Sequence, residues 1–174
     1  METLTNNMKT INPCEIDETC EMLKNCFCEV FSTVFEISAQ PSSTSDIQAG
    51  NQKLVVGSVG FTGDVNGQVY IYIEEPFARA LTCRMLGMSE SEIEGDELVN
   101  DVIGELSNMI VGGAKSRLCD SGAICHLTIP SILRGRSLTV EPSGSSESRF
   151  LSMDCENETI LLELLMKPQS EPTS

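Results

Sequence analysis

The chain has 174 residues, a formal net charge of -15 at neutral pH and 40% hydrophobic residues. This length and apolar content predict one domain with a real core, for which we expect the boundaries 13–167 and flexible segments at 1–12 and 168–174. The negative charge argues against nucleic acid and anionic membranes as partners, and no apolar run approaches the roughly 20 residues that span a bilayer. We therefore expect a cytoplasmic protein.

The first half of the chain has the pattern of one helix followed by a hairpin. Apolar residues at helical spacing predict a helix over 15–37, and a polar loop rich in Ser and Thr follows at 41–50. Two strands, at 54–61 and 68–74, are predicted next. They are separated by a turn that contains Asn66-Gly67, a strong hairpin signal.

The second half begins with two helices and ends in strands. Pro76 in the first turn supports a helix over 76–86, and a longer helix is predicted over 94–118. The last third has alternating or continuous apolar runs, which predict strands at 124–129, 137–141, 149–154 and 159–167. This order predicts an α+β fold in a single domain, with a mostly antiparallel sheet covered by long helices.

The helix over 94–118 has a polar strip on an otherwise apolar surface. At about 100° per residue, the strip contains Asp101, Glu105, Asn108 and Gly112. The opposite side is an apolar stripe of Val99, Val102, Ile103, Leu106, Met109 and Ile110. A carboxylate accepts a proton or pairs with a cation, whereas a carboxamide only positions groups through hydrogen bonds. The strip is therefore either a site that holds a water in place or an ordinary solvated helix face.

Two glycines favour the site over the solvated face. Gly104 and Gly112 flank the polar strip within the predicted helix. Each costs roughly 1 kcal/mol relative to alanine at such a position. Glycines that persist there usually mark the close approach of another backbone or molecule, so we expect such an approach at this strip.

These residues carry a resemblance to a known family. The spacing Asp101-x3-Glu105-x2-Asn108, followed by Pro130 at the end of an apolar strand, resembles the signature of the CheX branch of the CheC/CheX/FliY chemotaxis phosphatases. The glycine-containing hairpin at 59–71 and the helix end at 85–88 also resemble parts of that family. The resemblance extends roughly from Glu15 to Lys167 and identifies the predicted domain 13–167 as a CheX-like phosphatase domain.

The resemblance implies an activity and a division of roles. Members of the family hydrolyse the aspartyl phosphate of a CheY-type response regulator. By resemblance, Asn108 orients the attacking water and Glu105 pairs with the active-site lysine of the regulator. Asp101, Gly104, Gly112 and Pro130 are the supporting positions. The resemblance also implies that Mg2+ belongs to the regulator and not to this chain, and that the chain forms a homodimer; the strand-rich second half offers an edge for pairing.

The first predicted helix contains a possible second copy of the motif. Asp17-x3-Glu21-x2-Lys24 has the same spacing but ends in lysine, which cannot both donate to and accept from a water as an amide does. The pattern is equally compatible with a decayed internal repeat and with ordinary charges on a solvated helix. We expect one working site per chain.

The cysteines and the lone histidine do not form a recognisable metal site. The eight cysteines contain no Cys-x2-Cys pair, and His126 is the only histidine. Free cysteine is usually a small buried hydrophobe, so we predict structural thiols, with Cys20 on a helix and Cys125 on an apolar strand. A redox role for the close pair Cys26 and Cys28 is the alternative. We expect no metal held by this chain.

Two other functions remain open from the sequence. One is a non-catalytic scaffold that binds a response regulator or a flagellar switch protein. The other is a sensor domain, although nothing in the sequence points to a small-molecule substrate. Retention of both Glu105 and Asn108 favours the phosphatase, because a scaffold has no chemical need for an amide at that turn.

Overall fold

The structure, a computed structural model, describes residues 16–42, 51–142, 144 and 146–167. The flexible segments predicted at 1–12 and 168–174 lie outside the described residues, as do residues 43–50 of the predicted polar loop. The domain boundaries 13–167 therefore stay a prediction. None of the described helices is long and apolar enough to cross a membrane.

The described residues form three α-helices and seven strands. The helices are α1 (Ile16–Val34), α2 (Glu75–Leu86) and α3 (Glu97–Asp120). The strands are β1 (Ala39–Pro41), β2 (Lys53–Gly63), β3 (Gly67–Glu74), β4 (Cys125–Leu127), β5 (Ser131–Arg136), β6 (Glu147–Cys155) and β7 (Glu158–Met166). The predicted fold class, an α+β domain with a mostly antiparallel sheet, is confirmed, since every strand pairing among these residues is antiparallel.

The three predicted helices are confirmed, and local signals explain where they begin and end. α2 ends where Gly87 adopts a left-handed conformation with φ 66°, which places the N–H of Met88 3.0 Å from the Cys83 carbonyl. α3 begins later than the predicted residue 94. The reason is that Ser89 and Glu92 form a capping box on a separate short 3-10 turn, so the chain enters α3 only after that turn.

The predicted hairpin between β2 and β3 is confirmed, but its turn differs from a two-residue Asn-Gly turn. The loop comprises residues 64–66, and β3 begins at Gly67. The Asn66 side chain closes the loop, because its Nδ2 donates to the Gly63 carbonyl at 3.1 Å and its Oδ1 accepts from the Gly63 N–H at 3.3 Å. The asparagine acts here through its side chain.

Strand β2 pairs with three other strands in the half of the sheet on which α3 lies. The strands follow the order β1-β6-β7-β3-β2-β4, and β5 also pairs with β2. One edge of β2 pairs with β3, whereas the other is shared between β4 and β5. Consequently β4 and β5 lie end to end beside the same strand.

A β-bulge joins β4 to β5. Phe61 pairs with Leu127, and Ser58 pairs with Ser131, so residues 128–130 lie opposite only residues 59 and 60 of β2. Pro130 has no N–H to donate to a sheet ladder, which favours an interruption here. A bulge bends the strand and re-aims its side chains, and such features are frequent beside functional sites.

One strand prediction was wrong in its limits and another was wrong in place. The strand predicted at 124–129 is confined to Cys125–Leu127, because the bulge follows it. No strand forms at 137–141; β5 instead occupies Ser131–Arg136, and the short β1 was not predicted. The strand ends because Ser137 has φ 52°, outside the extended region. No strand pattern is evident at 131–136, because the polar residues of β5 are compensated by contacts with residues distant in sequence.

The hydrophobic core lies between the sheet and the helices. Phe27 and Phe31 of α1 stack with ring centroids 4.2 Å apart and are fully buried. α3 packs closely on β2, since a Cβ added to Gly57 would lie 1.9 Å from Ser107 Oγ. This close approach fixes α3 against the sheet by its apolar stripe and turns the opposite side of the helix outward.

Candidate functional site

The polar strip of α3 is presented at the surface as predicted. Asp101 and Glu105 are exposed, while Asn108 and Gly112 are half-buried. The predicted apolar stripe is buried except for Met109, which is half-buried. Among the described residues, no side-chain hydrogen bond or ion pair engages Asp101, Glu105 or Asn108. The strip therefore presents two carboxylates and an amide whose hydrogen-bonding groups are open to a partner.

The bulge between β4 and β5 borders this strip. A Cβ added to Gly112 would lie 3.7 Å from Leu127 Cδ1, and one added to Gly104 would lie 3.8 Å from Pro130 Cβ. The segment 127–130 thus runs alongside α3 from the level of Gly112 to the level of Gly104. Pro130, which follows the motif by a long stretch of sequence, is brought directly beside it.

The two flanking glycines are not required by contacts within the described chain. Distances of 3.7–3.9 Å from an added Cβ are ordinary van der Waals contacts. Gly113 is different, because its Cβ would lie 2.9 Å from Cys26 Sγ on α1. Gly113 is therefore needed for helix packing. Gly104 is buried beneath Pro130 and Ile132, so the neighbour of this glycine is the chain itself. The close approach of another molecule predicted at Gly112 stays a prediction.

The related spacing on α1 has a different environment. Arg149 Nε lies 3.1 Å from Asp17 Oδ1, and Lys24 Nζ lies 2.7 Å from Glu21 Oε1. The charges of this second strip are engaged with cations of the chain itself, and it has no amide. Of the two strips, only that of α3 combines open carboxylates with an amide.

An ion-pair network that the sequence reasoning missed fixes the beginning of α3. Arg134 of β5, only 15% exposed, places Nη1 2.7 Å from Glu75 Oε1 and 3.4 Å from Asp96 Oδ1. Its Nε donates to Asn100 Oδ1 at 2.7 Å, and Lys53 joins the network 2.9 Å from Glu75. The available signal was a basic residue directly after the apolar pair Ile132-Leu133. The network links α2, α3 and β5 and so holds the strip in register with the bulge.

The described cysteines are free thiols with structural surroundings. Burial raises the pKa of the Cys20 thiol to about 11 and that of Cys155 to about 12. Burial also raises the pKa of Cys26 and Cys28, which opposes formation of a reactive thiolate. Cys125 is buried, as predicted. Within the described ranges, no three His, Cys, Asp or Glu residues group in a way that could hold a metal ion.

Comparison with known proteins identifies the family. The sequence profile described as "Chemotaxis phosphatase CheX" matches residues 55–154, which is more than half of the chain. The chain belongs to the CheX family of chemotaxis phosphatases. The matched region includes α3, its polar strip and the bulge, and the resemblance inferred from the sequence is confirmed. The individual roles of Asn108, Glu105 and the supporting residues stay predictions.

Relatives of known structure or activity are similar over most of the chain. The CheY-P phosphatase CheX of Thermotoga maritima is 30% identical over 108 residues, which cover 62% of this chain and 67% of that protein. A CheC-like superfamily protein from Shewanella sp. PV-4 has a TM-score of 0.74 at 24% identity, over 88% of this chain and 99% of that chain. The CheX–CheY–BeF3–Mg2+ complex from Borrelia burgdorferi matches with a TM-score of 0.69 at 18% identity, over 86% of this chain and 98% of that chain. The two structural matches show that this chain has the fold of CheX family members.

Proposed function

We propose that this protein dephosphorylates the aspartyl phosphate of a CheY-type response regulator. The observation that carries the proposal is the open strip of α3, where Glu105 and Asn108 are presented together without partners among the described residues. Support comes from the CheX relative of Thermotoga maritima, named as a CheY-P phosphatase, and from the complex of a CheX protein with CheY. The protein and its regulator would meet in the cytoplasm, as part of two-component signalling.

The chemistry fits these side chains because phosphoryl transfer depends mainly on positioning and charge. Asn108 would enter the regulator's site and hold a water in line with the phosphorus. The water oxygen bonds to phosphorus as the bond to the aspartyl oxygen breaks, which yields inorganic phosphate and the free carboxylate. Glu105 would pair with a lysine of the regulator. Asp101, one turn earlier, would support that pairing, and Gly104, Gly112 and Pro130 would shape the contact surface.

The metal in this reaction would belong to the regulator. The complex of the Borrelia relative contains CheY, BeF3 and Mg2+ together. Mg2+ offsets the charge that develops on the phosphoryl oxygens. In this proposal the chain supplies no metal of its own, and its activity requires Mg2+ only through the regulator.

The direct test is to mix the protein with a phosphorylated CheY-type regulator from the same source and to follow phosphate release. Catalytic amounts should accelerate release well above the regulator's own rate, in a manner that depends on Mg2+. Binding of the regulator without acceleration would reject the phosphatase and leave the non-catalytic scaffold. Absence of both binding and acceleration with every regulator of that source would reject the phosphatase and the scaffold alike.

We further propose a homodimer. β1 pairs only with residues 153–155 of β6, so residues 147–151 have no strand partner on that side among the described residues. Unpaired strand edges are readily extended by another chain. Sedimentation at micromolar concentration should show a dimer, and a monomer throughout that range would reject the assembly.

A further inference from the structure

The side chain of Ile129, at the tip of the bulge, is the most exposed of the large hydrophobic residues that the structure describes. It is 87% exposed, compared with 63% for Ile124 and 62% for Phe150. Single exposed apolar residues are common on protein surfaces and need no function. What distinguishes Ile129 is that its backbone is held on both sides and that it stands at the candidate site.

The residues on either side of Ile129 are anchored. The N–H of Thr128 donates to the Gly60 carbonyl at 2.8 Å, and Thr128 Oγ1 accepts from the Gly60 N–H at 2.8 Å. Pro130 lies against Gly104 of α3, and the sheet ladder resumes at Ser131. Isoleucine is itself stiff at χ1. The apolar tip is therefore held in place before any partner arrives, so little conformational entropy is lost when it is covered.

The position of Ile129 is set by the same contacts. Leu127 lies at the level of Gly112 and Pro130 at the level of Gly104, so the tip stands beside the stretch of α3 between these two glycines. That stretch carries Glu105 and Asn108. A partner that receives these two side chains in its active site therefore lies close to the segment that carries Ile129.

We propose that Ile129 is a docking residue, which seats against apolar side chains of the response regulator beside its phosphorylated aspartate. This inference rests on the proposed function and deepens it. Glu105 supplies a charged contact that weakens with salt, whereas Ile129 supplies an apolar contact that does not. Because the isoleucine side chain touches none of the reacting atoms, the contact acts equally on the bound substrate and the transition state. Its loss raises KM and leaves kcat unchanged.

The test compares Ile129→Ala with Ile124→Ala, the same substitution at another exposed isoleucine. Affinity is measured with the regulator loaded with BeF3 and Mg2+, and KM and kcat with the phosphorylated regulator. Ile129→Ala should weaken binding and raise KM by about tenfold, as for a central interface residue, with kcat within about twofold. Ile124→Ala should change both by less than about twofold, and Ile129→Val should retain most of the affinity. The salt dependence of binding should not change in Ile129→Ala.

Several results would overturn the docking role. These are an unchanged affinity in Ile129→Ala, an equal loss in Ile124→Ala, a loss confined to kcat, or a lower melting temperature, which would indicate a role in folding. The two proposals fail separately. If the wild type binds the BeF3-loaded regulator but never accelerates phosphate release, the phosphatase is rejected while the affinity comparison still decides the role of Ile129.

Discussion

At the scale of single residues, the site depends on an amide and a carboxylate one helical turn apart. Both project from a helix whose opposite side is buried, so their positions are fixed by the core and not by a mobile loop. Neither has a side-chain partner among the described residues. Their substitution should therefore change function with little change in stability.

Replacement of Asn108 by alanine should abolish most of the stimulated dephosphorylation. An amide that orients a water acts mainly in the transition state, and loss of one such contact costs about 10²–10³ in rate, or roughly 2.7–4 kcal/mol. Affinity for the BeF3-loaded regulator should be retained, and the free energy of unfolding should change by about 0.5 kcal/mol or less. Phosphate release, affinity and urea unfolding measured on the same preparation check this. Full activity in the variant would reject the proposed mechanism.

Replacement of Glu105 by glutamine should weaken docking together with turnover. A carboxylate paired with a lysine in a complex contributes charge that glutamine lacks, and removal of one member of a desolvated pair costs about 2–5 kcal/mol. The salt dependence of binding should become shallower. Asp101→Asn is the matched control one turn away and should have a smaller effect. If Glu105→Gln lost turnover while its half-saturating regulator concentration stayed the same, the proposed division of roles would be wrong.

At the scale of elements, α3 carries adjacent glycines with opposite requirements. Gly112 faces the open strip, where an added Cβ makes an ordinary contact, whereas Gly113 faces Cys26 of α1 at 2.9 Å. α3 thus packs closely against α1 on the side of Gly113 and has no side chain projecting from the strip at Gly112. Only the glycine at 112 has no explanation within the described chain.

This difference predicts that Gly112→Ala stabilises the protein and Gly113→Ala destabilises it. Alanine gains roughly 0.5–1 kcal/mol from helix propensity at either position. At Gly113 the crowding against Cys26 should cost about 1–3 kcal/mol, as in overpacked cores, which exceeds that gain. Thermal or urea unfolding measures both variants. If a partner approaches the strip closely, Gly112→Ala should also lose affinity for the regulator despite its higher stability; unaltered affinity would show that the glycine does not serve docking.

At the scale of the whole molecule, the buried thiols contribute a dependence of stability on pH. Burial raises the pKa of Cys20 to about 11 and that of Cys155 to about 12, above the ordinary value of 9.0 for both. A thiol that ionises at higher pH in the folded state than in the unfolded state stabilises the fold fully below pH 9. That stabilisation is lost as the pH rises from 9.0 toward the folded-state pKa of about 11 for Cys20 and about 12 for Cys155. The loss is at most about 1.4 kcal/mol per pH unit for each thiol.

The melting temperature should accordingly fall between pH 9 and pH 11, and the fall should be shallower in Cys155→Ala. Because that substitution also removes buried atoms, Ile160→Val serves as the control. It removes a buried methylene nearby but no thiol, so it should lower the melting temperature without altering the slope. Equal slopes in the wild type and Cys155→Ala would show that this thiol does not contribute to the alkaline loss of stability.

The sequence by itself determined the elements with strong local periodicity and the residues on their faces. The polar strip of α3 follows from spacing at 3.6 residues per turn, and the β2–β3 hairpin follows from alternation around Asn66-Gly67. Both patterns depend on residues that are neighbours along the chain, so they can be recognised without knowledge of tertiary contacts. The motif residues Asp101, Glu105 and Asn108 could be found for the same reason.

Only the tertiary structure decided what surrounds that strip. Pairing register placed the bulge, and with it Pro130 and Ile129, beside α3; no local pattern specifies which strands share an edge of β2. Arg134 can lie in a strand because acidic residues distant in sequence compensate its charge. That strand could therefore not be predicted from the sequence. Likewise, Asp17 of α1 is engaged because the folded sheet places Arg149 beside it. Contacts between residues far apart in sequence depend on the assembled fold, whereas helical and strand periodicity does not.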